Sequence, residues 1–169
     1  MSGILMEMGL ILACILFQAY FAGMETGVIS VNKLRVQHAL RNNIPGARPL
    51  DFFMRNPDHL FSTTLVGTNL FMVLISVLAA DLSFRTMGDL GPAVSGILIT
   101  FIDLVFAEYL PKAWFRSKPV ERTMLLIQPL YWIRYLFHPV GNIVVIITRM
   151  FIPDRKNKRG TRPIVTRDE

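Results

Sequence analysis

The chain has 169 residues, 52% of them hydrophobic and 18% charged, and its mean hydropathy is +0.43. A soluble domain carries about 25% charged residues, so these values argue against a soluble protein and for an all-α membrane protein. The formal net charge of +6 would suit a nucleic-acid binder. No basic run is interleaved with aromatic residues, however, and the charges flank apolar runs, so no nucleic-acid partner is expected.

The first apolar run, 4–31, exceeds the ~20 residues that span a bilayer. It has no positive leading segment, which makes it a retained transmembrane helix rather than a cleaved signal. Cys14, the only cysteine, lies inside it, so no intrachain disulfide exists. Glu7 stands near its start and Glu25 near its end, and Gly23, Thr26, Gly27 and Ser30 recur on one helical face. Such a small and polar stripe suits close helix packing as well as ion contact. The segment 32–59 is polar and basic: a helix continues to about Leu40, residues 45–49 turn the chain, 51–55 form a short interfacial helix, and Asn56-Pro57-Asp58 is a turn.

The second span is 60–82. Gly67-Thr68-Asn69 should loosen it, since glycine weakens a helix and Thr and Asn compete for backbone bonds. An external loop, 83–91, leads to the third span, 92–115, where Pro92 suits a first helical turn. Asp103 and Glu108 are ionisable and deep, and Pro111 and Lys112 come directly after them. Intramembrane ionisable residues ask for a functional explanation. Pro111 has no N–H, so in an α-helix the carbonyl of Ala107 loses its partner beside Glu108. The segment 117–152 is apolar but cut by Pro119, Pro129 and Pro139 and by Arg122, Arg134 and Arg149. It is read as two or three amphipathic helices on the inner membrane surface, with Tyr131, Trp132, Arg134 and Tyr135 at the interface. Residues 1–153 then form one transmembrane domain, and 154–169 a basic linker.

Of the 18 Lys and Arg, five lie between the first two spans, one (Arg85) between the second and third, and twelve from Lys112 onward. The positive-inside rule puts the N-terminus outside and the C-terminus in the cytoplasm of a multi-pass plasma (inner) membrane protein. Counted from the cytoplasmic ends, Glu108 lies roughly 10 Å deep, Asn69 roughly 13 Å, and Ser30 and Glu25 within ~10 Å. The oxygens gathered there are hard ligands with no paired Cys or His, suited to Mg²⁺, Ca²⁺ or Na⁺ rather than zinc or copper. Enzymatic activity is not expected. An intramembrane aspartyl hydrolase needs facing carboxylates, and Asp103 and Glu108 are about 140° apart around one helix.

Phe21-Ala22-Gly23-Met24-Glu25-Thr26 with Ser30 and Leu34-Arg35, then Thr64-Leu65-Val66-Gly67-Thr68-Asn69-Leu70, then Glu108-Tyr109-Leu110-Pro111-Lys112 resemble the transmembrane domain of the CNNM/CorC family. Pro163-Ile164-Val165-Thr166-Arg167-Asp168-Glu169 looks like the start of that family's cytosolic regulatory region. The resemblance implies a homodimeric Mg²⁺ transporter with three transmembrane helices and a cytoplasmic-side belt of juxtamembrane helices. It also implies Na⁺-dependent Mg²⁺ export by alternating access. Carried over, the metal ligands are Ser30, Asn69 and Glu108, with backbone carbonyls near Gly67 and Ala107. Glu25, Thr68, Asp103, Pro111 and Lys112 are secondary ion or pathway residues. The chain departs from the pattern at Thr68, where Asn is common, and at Met72, where a polar residue is common. The family's paired nucleotide-binding module is not in this sequence, so ATP is not an expected partner. The alternative is a membrane scaffold that senses Mg²⁺ and regulates another channel or transporter.

Overall fold

A computed structural model describes the backbone of residues 2–151 and the side chains of 3–137; the expected linker, 154–169, lies outside the described residues. α1, Ser2–Ser30, ends at Val31 and Asn32. The expected continuation to Leu40 is therefore a separate helix, α2, Lys33–Arg41, capped by the Asn32 side chain accepting from the Leu34 N–H at 2.8 Å. α3 runs over Ala47–Arg55, longer than the 51–55 expected, after Gly46 at φ 85°. α4 spans Pro57–Met87. Pro57 and Asp58 are thus its first turn rather than a loop, because a proline there lacks only an N–H that would be unpaired anyway.

The expected external loop, 83–91, shrinks to a single 3₁₀ turn, Gly88–Leu90. The third leg then runs through α5, Gly91–Ile102, a widened π-helical segment, Asp103–Tyr109, and α6, Leu110–Ser117. The expected loosening at Gly67-Thr68-Asn69 does not occur. The Thr68 hydroxyl donates to the Thr64 carbonyl at 2.9 Å and the Asn69 amide to the Leu65 carbonyl at 2.7 Å. Their polar atoms are satisfied inside the helix, so they do not pull it apart. Nor do Pro129 and Pro139 divide the last helical stretch: α7 is one helix, Pro119–Phe151, in place of the two or three expected.

Cross-contacts fix the register of the three legs. Glu7 meets Arg85 at 2.9 Å, and Phe17 and Phe21 stack on Phe71, so α1 runs antiparallel to α4. Gln18 meets Asp103 and Gly23 lies under Phe115, so α1 runs parallel to the third leg. Ser83 Oγ and Ser95 Oγ, 2.9 Å apart, join α4 to α5 across the turn.

The buried core sits at one end of this bundle. Phe21, Met24 and Val28 of α1, Leu60 of α4 and Phe115 of α6 pack with Val36, Leu50, Phe53, Ile127 and Leu130 of α2, α3 and α7. α7 is held by its Thr123–Met124–Ile127–Leu130 face, by Tyr20 donating to the Leu126 carbonyl at 2.9 Å, and by Arg134 stacked on Phe52 and Tyr131 at 4.0 and 3.9 Å. At the other end Arg85 bridges Glu7 of α1 and Asp81 of α4. Between these ends the legs turn large apolar side chains outward: Ile97 is 76% exposed, Phe101 67% and Val77 61%. Apolar surface on this scale belongs in hydrocarbon rather than water. Two described stretches, Gly3–Ser30 and Pro57–Ser117, are long and apolar enough to cross a membrane, and the second is folded back on itself at Gly88–Leu90.

Candidate cation site

The third leg departs from α geometry at the motif that the sequence singles out. The Leu110 N–H bonds to the Val105 carbonyl, five residues back, and this wider ladder covers Asp103–Tyr109. Such segments cluster at functional sites. The cause is at hand: a proline ring in an α-helix clashes with the carbonyl four residues earlier, and widening the turn moves that carbonyl aside. In the widened register the missing Pro111 N–H falls opposite Phe106, and in the ordinary one opposite Ala107. Two adjacent carbonyls are therefore weakly committed to the helix. Ala107 is fully buried, packed where the π segment meets α1.

Glu108 lies on this segment with its carboxylate half exposed and ion-paired to Lys112 one turn on. Asn69 is exposed on α4. Because its Nδ2 is tied to the Leu65 carbonyl, Oδ1 is the atom it offers outward. By the register of the cross-contacts, Asn69 lies level with α1 near residue 19 and Glu108 near residue 21. The two are thus within about one helical turn of each other along the bundle. Ser30, the last residue of α1, is exposed some nine residues further toward α2, on the order of 13 Å along the axis. Thr68 is half-buried, its proton committed to Thr64. Glu25 is half-buried and makes no ion pair among the described residues; Lys112 is taken by Glu108.

The glycines of the α1 stripe serve packing. A Cβ on Gly27 would stand 2.5 Å from Thr123 Oγ1 and 2.8 Å from the Phe115 ring, and Gly23 is as tight against the same ring. Gly67 lies against Phe21, where a Cβ would come within 2.6 Å of the ring. Gly67→Ala must therefore push α4 off α1 and is expected to cost about 1–3 kcal/mol. A thermal melt in detergent reads this, and Phe21→Leu in the same background should recover part of the loss; an unshifted melting point for Gly67→Ala would contradict the close approach.

No three His, Cys, Asp or Glu residues converge anywhere among the described residues. A cation site here has to rest on one carboxylate and neutral oxygens. One functional candidate escaped the sequence reading. Gln18, the sole carboxamide of the first apolar run, is buried at 5% exposure and donates to Asp103 Oδ2 at 2.9 Å. Its isolation in an apolar run was the available signal.

The fold and site define a helical membrane domain. The family model of the Cyclin M transmembrane N-terminal domain matches residues 9–169, and the chain belongs to this family, CNNM. It is 36% identical over 137 residues to the UPF0053 inner membrane protein YfjD of Escherichia coli (strain K12), covering 79% of this chain and 31% of that protein. It is 31% identical over 138 residues to a UPF0053 protein of Haemophilus influenzae, covering 76% and 33%. A Synechocystis UPF0053 protein, sll1254, is 23% identical over 127 residues. The chain spans about a third of the length of these relatives.

Proposed function

We propose that this chain is the membrane domain of a Mg²⁺ transporter that moves the ion by alternating access, exchanging it for Na⁺, as a homodimer in the inner membrane. The observation that carries the reading is the widened segment Asp103–Tyr109, which sets Glu108 beside carbonyls released by Pro111 in a chain of this family. Glu108 supplies the charge. The Asn69 Oδ1 and the backbone oxygens near Ala107 replace part of the water shell that Mg²⁺ gives up reluctantly, while those near Gly67 stay in the unbroken α4 ladder. Ser30, nearer the mouth on the α2 side, meets the ion as it enters from the cytoplasm. Lys112 neutralises Glu108 in the ion-free state, so an arriving Mg²⁺ displaces an ammonium rather than entering beside a bare charge. The reading is one of transport, without bond-making chemistry.

Purified protein in sealed liposomes tests this. Mg²⁺ flux above protein-free vesicles is expected, reduced at least tenfold by Asn69→Ala, the scale of losing one ligand that bonds to a charge. A protein that folds, binds Mg²⁺ and makes no flux is instead a sensor that regulates another transporter.

A further inference from the structure

The pair Gln18–Asp103 is not used by the Mg²⁺ site. It joins the middle of α1 to the first residue of the π segment, about one turn from Glu108. Only one of its contacts is made, Gln18 Nε2 to Asp103 Oδ2. Gln18 Oε1 and Asp103 Oδ1 are both buried and without a hydrogen-bond partner among the described residues. Buried polar atoms are almost always paired, and leaving a carboxylate oxygen and an amide oxygen bare in the same pair is costly. Both are acceptors, so the pairing they lack is a cation or a donor. One carboxylate and one neutral amide oxygen match a single positive charge; a divalent ion there would need a second carboxylate, and the nearest, Glu108, is paired to Lys112.

We propose that Gln18 Oε1 and Asp103 Oδ1 form a Na⁺ site, separate from the Mg²⁺ site and sharing the π segment with it. The inference deepens the transport reading by naming where the counter-ion sits, and it rests on that reading for its role. Because Asp103 opens the segment and Glu108 lies within it, Na⁺ occupancy and Mg²⁺ occupancy bear on one run of backbone.

The test is thermal protection of the purified protein in lipid nanodiscs, titrated with NaCl at ionic strength held constant with choline. Na⁺ is expected to raise the melting temperature saturably where choline and K⁺ do not. Asp103→Asn keeps the shape and the Gln18 contact but removes the charge, and should raise the Na⁺ midpoint roughly tenfold or more. Gln18→Met, near-isosteric and without the oxygen, should raise it too and covers the case in which Asp103→Asn fails to fold. Protection that is absent in the wild type, equal in choline, or unmoved in a folded variant overturns the proposal. So does protection that tracks pH and not Na⁺, which would make the pair a carboxylic acid bonded to an amide. Mg²⁺ titration of the same samples keeps the two readings apart: Na⁺ protection without any Mg²⁺ protection preserves this site and sinks the transport reading.

Discussion

Mg²⁺ flux through Glu108→Gln is expected to fall to the level of protein-free vesicles. Glutamine matches the side chain in size and keeps one acceptor oxygen, so the helix should fold as before. The substitution removes one of the two carboxylates on the widened segment, the one beside the carbonyls that Pro111 leaves without a partner, and leaves Asp103 bonded to Gln18. A partly dehydrated divalent ion with no counter-charge is unstable in a poorly hydrated place. Losing a charged ligand costs on the order of 3 kcal/mol, a factor above 100 in affinity. Lys112→Met is the companion variant. If the ammonium holds the place of the ion, as its pairing with Glu108 suggests, the Mg²⁺ midpoint should move to lower concentration when it is removed. Wild-type flux in a folded Glu108→Gln protein would remove the carboxylate from the mechanism.

The second large effect is on stability, and it falls far from any ion. Gly46→Ala should destabilise the protein by about 2–4 kcal/mol, from left-handed strain and from overpacking together. Gly46 holds φ +85°, and a Cβ there would run into the backbone carbonyl of Met124 on α7. Backbone cannot rotate out of the way as a flexible side chain can, so α7 would have to lift from the α2–α3 turn. Met124 and Ile127 belong to the buried core, so lifting them reaches Phe21 and Phe115. A melting temperature lowered by several degrees with loss of the α7 contacts is the expected result. Gly46→Asn, which tolerates left-handed backbone better but still carries a Cβ, separates strain from clash. Equal damage from both variants assigns the effect to the clash.

Much of the helical layout was legible because apolar runs and their flanking charges are long-range signals. The apolar runs 60–82 and 92–115 lie within helical stretches of the structure, and 4–31 overruns α1 by one residue, Val31. Errors arose where the sequence reading let a single residue decide the backbone. Thr68 and Asn69 look like helix breakers, yet each bonds to the carbonyl four residues earlier inside α4. Pro129 looks like a boundary, yet Thr123, Met124, Ile127 and Leu130 bury one face across it and packing overrides the lost bond. Periodicity finds the third leg but is blind to one extra residue in a turn. Pro111 therefore pointed to a freed carbonyl, while the seven-residue widening that frees it was out of reach. Gln18 was missed for a different reason: its significance depends on Asp103, 85 positions away. Counting from the span ends puts Asn69 and Glu108 at similar depth, whereas the position of Ser30 depends on where α1 stops.

The Arg85 bridge bears on the field around the molecule. At that end the described residues carry three carboxylates, Glu7, Asp81 and Asp89, against one guanidinium, which is already shared by two of them. The opposite end carries Lys33, Arg35, Arg41, Arg48 and Arg55 around α2 and α3 and Arg116, Lys118 and Arg122 beside them, against the acids Asp51, Asp58 and Glu121. The bundle is therefore a charged rod with its negative pole at the Gly88–Leu90 turn. Such a pole raises the local concentration of small cations and speeds their arrival, more so at low salt. Small cations on the turn side are concentrated there without any residue dedicated to capturing them, while the far end presents them with a basic rim.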